Sequence, residues 1–126
     1  MAIGLGIDLV AVDSVAEVLG GEHAQHYLER VYTEREVEDC RDPSGEVDPA
    51  RLAARFAAKE AAINALPGSG EEVRLTSIEV LREPSGQVRI ELSGRPAELA
   101  AAAGVGELAV SLTHEGDYAA AAVVTA

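Results

Sequence analysis

Asp8 is an acid inside an apolar run, with Ile3-Gly4-Leu5-Gly6-Ile7 before it and Leu9-Val10 after it. A carboxylate in that setting must be paired, coordinated, or placed at a strand end where it caps a turn, because burial of an unpaired charge is costly. Gly4 and Gly6 would let another backbone or a ligand approach the same strand closely. Lys59 is the only lysine among ten basic residues. At about 100° per residue, Leu52, Phe56, Ile63 and Leu66 line one stripe of a helix. Lys59 falls inside that stripe, Glu60 borders it, and Arg55 lies one turn before Lys59. Two readings fit. Either Lys59 lays its stem along the seam and keeps its ammonium in water, or a cation and a carboxylate point into a shared cleft. In the second case the cation holds an anionic ligand and the carboxylate binds metal or accepts a proton. His114 shares the parity of Leu108, Val110 and Leu112, so it extends the inward face of a strand beside a tight turn. A lone histidine there is more often structural. His23 and His26 could share a helix face, but lack a third ligand and read as solvated.

The elements that must position these residues are legible in outline. Ile3 to Val12 reads as a first strand. Asp13-Ser14 is a candidate cap for a helix over Val15 to Leu19. His23 to Asp39 is a charge-rich helical stretch with a break near Thr33, and Arg41 to Pro49 reads as a loop. Asp48 as cap and Pro49 at the first position open the clearest helix, running on to Leu66. Pro67-Gly68-Ser69-Gly70 stops it. Val73 to Leu81 and Val88 to Leu92 form a predicted strand pair, joined through Glu83-Pro84-Ser85-Gly86. Arg95 to Ala103 is a short helix ended by Gly104. Leu108 to Thr113 and Tyr118 to Val124 form a final hairpin. The pattern predicts a single α+β domain over residues 1–126, with substantial antiparallel sheet.

Composition excludes several classes. The net charge of −12 opposes a nucleic-acid partner and unaided attraction to an anionic membrane. No apolar stretch is long enough to span a bilayer. Cys40 is the only cysteine, so no internal disulfide can form, and a reducing, cytoplasmic setting is expected. The segment Met1 to Val12 has no positive leader and carries Asp8, so it reads as a strand and not as a signal peptide.

The unusual residues coincide with a known pattern. Gly6-Ile7-Asp8, followed downstream by Phe56-Ala57-Ala58-Lys59-Glu60-Ala61, resembles the bipartite signature of phosphopantetheinyl transferases. Arg30-Val31-Tyr32-Thr33-Glu34, the helix from Leu52 to Ala61, and Ser111-Leu112-Thr113-His114 followed by Tyr118-Ala119-Ala120-Ala121 resemble the short, standalone holo-acyl-carrier-protein synthase branch. The agreement extends from residue 3 to residue 124. The resemblance implies a mainly antiparallel sheet packed on one long helix, and a homotrimer with active sites between subunits. It implies transfer of 4′-phosphopantetheine from coenzyme A to a serine of an apo carrier protein, with magnesium as cofactor and 3′,5′-ADP released. Asp8 and Glu60 match the magnesium ligands. Lys59 matches a lysine near the coenzyme A phosphates, and these three are the expected catalytic residues. Arg55, Thr113 and His114, with the Gly68-Ser69-Gly70 loop, match residues around the cofactor. Asp8 and Glu60 of one chain would then meet His114 of a neighbour.

The chain departs from that pattern in places. Asn64 stands where a second lysine is usual, Pro67 precedes the glycine loop, and Glu71-Glu72 follow it. Between Asp13 and Asp42 there are nine acids and three bases, in a region that is often basic in the family. These departures motivate a second reading, a catalytically silent trimer that binds coenzyme A or a carrier. A third class, a carrier that itself receives the arm at Asp13-Ser14-Val15, fits poorly with so many strands.

Overall fold

The computed structural model describes residues 3–68 and 73–126. Strand β1 (Gly4–Ala11) leads into helix α1 (Val12–Leu19), followed by α2 (Ala24–Val31), α3 (Glu34–Asp39) and the long helix α4 (Pro49–Ala65). A 3₁₀ turn (Leu75–Ser77) then opens the hairpin of β2 (Ile78–Arg82) and β3 (Val88–Leu92). Helix α5 (Gly94–Ala102) and the hairpin of β4 (Leu108–Glu115) and β5 (Tyr118–Thr125) complete the chain. The strands form an antiparallel sheet in the order β1-β5-β4 and a two-stranded antiparallel β2-β3 ladder. The α+β architecture, with sheet packed on one long helix, is the expected one.

Two boundaries differ from expectation. Helix α1 begins directly at Val12, with Ala11 at its cap and no side-chain cap bond. Asp13 therefore sits in the first turn, where an acid favours the helix dipole. The predicted strand from Val73 starts only at Ile78, because Leu75–Ser77 close a 3₁₀ turn whose carbonyls serve another purpose, described below. The break at Thr33 is a full capping box: Thr33 accepts from the Glu36 backbone, and the Glu36 side chain accepts from the Thr33 backbone.

Helix α4 lies across the inner face of the three-stranded sheet. The large-residue stripe predicted for it is only part of the picture, since Phe56 and Ile63 are half-buried. The tightest contacts come from Ala57, Ala58, Ala61, Ala62 and Ala65, which pack with Ile78, Val80, Ala121 and Val123. A second cluster joins Val15, Val31, Tyr32, Cys40 and Leu52 to Ala53, Ala54 and Ala119. Small residues let backbones meet. A Cβ built on Gly6 would lie 1.8 Å from the Ala61 carbonyl oxygen, and one on Gly4 would lie 2.1 Å from that of Ala65. The spacing is commensurate: four helical residues rise about 6 Å and two strand residues about 6.6 Å. Each second residue of β1 thus meets the preceding turn of α4, and the next in the series is Asp8.

Gly6→Ala is expected to destabilise the fold by about 3 kcal/mol or more, since neither backbone can yield. A Cβ on Gly20 would lie 3.6 Å from its nearest neighbour, the Ala16 carbonyl oxygen, so Gly20→Ala should change stability by about 0.5 kcal/mol or less. Urea denaturation of the two variants beside the parent checks the contrast.

Candidate active site

Continuing the glycine series places the Asp8 side chain over the turn of α4 that carries Glu60. Asp8 is mid-strand, opposite Ala121 of β5, and does not cap a turn. Its carboxyl is pushed above the ordinary range by partial burial, opposed in part by a hydrogen bond from the Leu9 backbone. Glu60 is also raised, first by burial and then by the negative charge of Asp8. The two acids therefore share one electrostatic site. Asn64, one turn beyond Glu60, donates through Nδ2 to the Ile7 carbonyl at 3.3 Å, tying helix to strand beside the pair.

Two oxygen donors in mutual repulsion are a fit for a hard divalent cation, which would relieve both the burial cost and the like-charge contact. No cluster of three or more His, Cys, Asp or Glu side chains suited to a metal occurs among the described residues. Magnesium is commonly held by one or two carboxylates and keeps several waters, so two acids are a sufficient donor set for it.

A second feature lies on another flank of α4. A cleft of about 390 Å³ is lined by Asp39, Arg51, Ala54, Arg55, Arg82, Leu112 and His114. Three guanidinium groups and an imidazole against one carboxylate make it a cationic, anion-accepting surface. Arg55 is buried, and among the described residues its Nε has no hydrogen-bond partner. A buried donor left unpaired is uncommon and points to an absent acceptor. Arg55 and His114 thus line one cleft within a single chain. Arg55 and Glu60 are about 140° apart around the helix, so within one chain the cleft and the acid pair face different ways.

The remaining expected residues fare differently. Thr113 faces the opposite side of β4 from His114, on the outer sheet face in register with Ala120. Gly68 has a left-handed φ of 83° just after α4 and borders an apolar pocket with Ile63, Leu66 and Leu99. Ser69 and Gly70 lie outside the described residues.

Lys59 requires a correction. Its side chain is wholly enclosed and so is that of Glu36, and the two form an ion pair at 2.7 Å. The ammonium also donates to the carbonyls of Leu75 at 2.9 Å and Ile78 at 2.6 Å. Three partners account for the three N–H groups, and the Tyr32 ring lies 5.8 Å from Nζ. Neither the snorkelling lysine nor the phosphate-directed lysine of the sequence reading describes this group. Burial lowers its pKa while the Glu36 charge opposes the shift. Glu36 went unnoticed at the sequence level, hidden in a charged segment. The signal was present in Thr33-Glu34-Arg35-Glu36, whose spacing is that of a capping box.

A profile of the 4′-phosphopantetheinyl transferase superfamily matches residues 4–123, and the chain belongs to that superfamily. Within it, the chain is similar to proteins named holo-[acyl-carrier-protein] synthase. The one from Chloroflexus aurantiacus is 41% identical over 130 residues, covering 94% of each chain. The one from Halorhodospira halophila is 39% identical, covering 98% of this chain and 97% of its own. A solved structure described as a Chronobacterium ammoniagenes ACPS-CoA complex superposes with a TM-score of 0.81 at 33% identity, covering 100% of this chain and 98% of that one.

Two outcomes follow. The folded Glu60 pKa lies above 4.5, so ionised Glu60 costs stability once pH exceeds the folded value, and that cost is absent below about pH 4.5. Glu60→Gln should therefore raise the melting temperature of the metal-free protein by about 1–3 °C at neutral pH, a small effect because the group is partly solvated. The gain should vanish in acid, and magnesium should stabilise the parent but not the variant. Separately, Lys59→Ala or Glu36→Ala should each cost about 3–5 kcal/mol in urea denaturation, because each strands a buried charge. Glu36→Gln with Lys59→Met should cost less than either.

Proposed function

We propose that the chain is a magnesium-dependent homotrimeric enzyme that transfers 4′-phosphopantetheine from coenzyme A to a serine of a carrier protein. The convergence of Asp8 and Glu60 on one site carries this reading, given membership of the superfamily and relatives named holo-[acyl-carrier-protein] synthase. In the reaction the serine oxygen bonds to the β-phosphorus of coenzyme A. The bond from that phosphorus to the bridging oxygen breaks, and 3′,5′-ADP departs with that oxygen. The serine proton passes to Glu60 or to water.

Asp8 and Glu60 would hold the cation, which supplies charge neutralisation at the pyrophosphate when bound. The cationic cleft suits the nucleotide end. Arg51, Arg55 and Arg82 offer charge and paired donors to a phosphate, and His114 adds a further donor when protonated. Lys59 acts from within the fold and not on the substrate, since its donors are already engaged.

Sharing of sites between copies is supported by the outer face of the sheet. Leu5, Ile7 and Leu9 are 68%, 71% and 65% exposed, and Ile7 and Leu9 lie in register with the small residues Ala122 and Ala120. Contiguous apolar surface of this kind marks an interface in a folded chain. Asp8 alternates with those residues and points to the opposite, α4 side of the same strand. Strand β1 is an edge strand, so a copy packed on the outer face would reach the acid pair around that edge. The cleft of one copy would then complete the acids of another.

Incubation with coenzyme A, magnesium and a panel of apo carriers should add one phosphopantetheine to at least one carrier in intact-mass spectra, and chelator should stop it. Asp8→Asn and Glu60→Gln should each slow transfer about 100-fold or more. Mixed trimers of Glu60→Gln and His114→Ala chains should exceed the summed activity of the separate variants. A full panel without mass gain favours the silent binding module, and additive activity in the mixture argues for a site within one chain.

A further inference from the structure

We infer that Glu36 is a positioning residue for the cationic cleft, so that this buried carboxylate sets affinity for the nucleotide end of coenzyme A without touching it. The inference deepens the proposed function and rests on that reading of the cleft. Glu36 is fully enclosed and joins three elements at once. Its Oε1 accepts from the Thr33 backbone at 2.8 Å and pairs with Lys59 of α4 at 2.7 Å. Its Oε2 accepts from the Val80 backbone of β2 at 2.9 Å. Each of those elements supplies a cleft residue within one turn or two positions of the anchor. Asp39 follows Glu36 by three residues on α3, Arg55 precedes Lys59 by four on α4, and Arg82 follows Val80 by two on β2. Helical neighbours three or four apart share a face, as do strand residues two apart. A shift at the anchor is therefore passed to all three lining residues together.

The linkage is stiff. Lys59 fixes the Leu75 and Ile78 carbonyls, and Thr33 Oγ1 donates to Glu79 at 2.6 Å, a second tie between the start of α3 and β2. The buried Arg55 has no partner for its Nε among the described residues, so the course of α4 sets where its guanidinium sits. The acid pair depends on different contacts, those of β1 with Ala61, Ala65 and Asn64. Glu60 follows Lys59 directly on α4, but those β1 contacts lie just beyond it and hold the acid pair from the other side, so Glu36 should govern the cleft far more than the cation site.

The chemistry of two substitutions separates these roles. Glu36→Gln removes the charge and turns one acceptor into a donor, facing either Lys59 or the Val80 N–H. Glu36→Asp keeps the charge but is shorter by about 1.5 Å, so it cannot span Lys59 and Val80 together. Three measurements on the full chain decide the matter: calorimetric titration with coenzyme A, manganese binding by electron paramagnetic resonance, and the Arg55 Nε–Hε resonance in the free protein. Glu36→Gln should weaken coenzyme A about tenfold or more, and Glu36→Asp by a smaller factor, since small misplacements are amplified in preorganised sites. Manganese affinity should stay within about twofold, while the Arg55 signal moves in both variants. Should Glu36→Gln fail to fold, Glu36→Asp decides alone. A folded variant with parental coenzyme A affinity and an unmoved Arg55 signal overturns the inference, as does equal loss of manganese and coenzyme A. Failure of the parent to bind coenzyme A would instead overturn the functional reading, and the Arg55 signal would then decide this one.

Discussion

Backbone-to-backbone contact between β1 and α4 is the constraint on which the site depends. Side chains normally hold a strand and a helix far enough apart for packing. Here Gly4 and Gly6 meet the Ala65 and Ala61 carbonyls with no room for a Cβ. The closeness has a chemical consequence. It carries Asp8 to the same turn as Glu60, so burial raises the cost of ionising both and the charge of Asp8 raises that of Glu60 further. A site that is unfavourable when empty of cations is one that gains most from binding one. The alanine-rich face of α4 and the alanine-rich run of β5 are the packing half of the same arrangement, since the helix can lie low on the sheet only where both surfaces are small.

A second buried interaction organises the other flank. Glu36 and Lys59 are an ion pair without solvent contact, and such pairs contribute little net stability relative to apolar replacements. Their value lies in direction. The carboxylate and the ammonium between them engage two backbone N–H groups and two backbone carbonyls, from α3, the 3₁₀ turn and β2. That many satisfied bonds specify a single arrangement of the elements that carry Asp39, Arg55 and Arg82. Nearby, the Tyr32 hydroxyl donates to the Leu52 carbonyl and its ring stands against Tyr27, while burial pushes the Cys40 thiol up to about 11. Lys59, Glu36, Tyr32 and Cys40 are all buried, and every hydrogen-bond partner of the ammonium lies within the fold, which keeps the cation of Lys59 directed inward.

Much of this was legible from residue types. Asp48-Pro49 marked the start of α4, and Pro67-Gly68 marked its end, because cap chemistry and a missing N–H act locally. The glycines before Asp8 announced a close approach, and an acid in an apolar strand announced a charge needing a partner. The superfamily signature attached chemistry to both. Local signals misled where tertiary contacts prevailed. The strand predicted from Val73 yielded to a turn whose carbonyls serve Lys59, and Asp13-Ser14 never became a cap because β1 runs straight into α1.

Sequence alone determined which residues were out of place: Asp8, the solitary Lys59, Glu60 and the inward parity of His114. These are departures from periodic patterns, and periodicity is a property of the chain itself. Only the tertiary structure decided which were partners. It joined Asp8 to Glu60, placed Arg55 with His114 on another flank, turned Thr113 to the outer face, and gave Lys59 to an unnoticed Glu36. Pairing across such separations is set by how helix and strand surfaces fit against one another, and that fit depends on the shape of both surfaces at once, which no single stretch of chain contains.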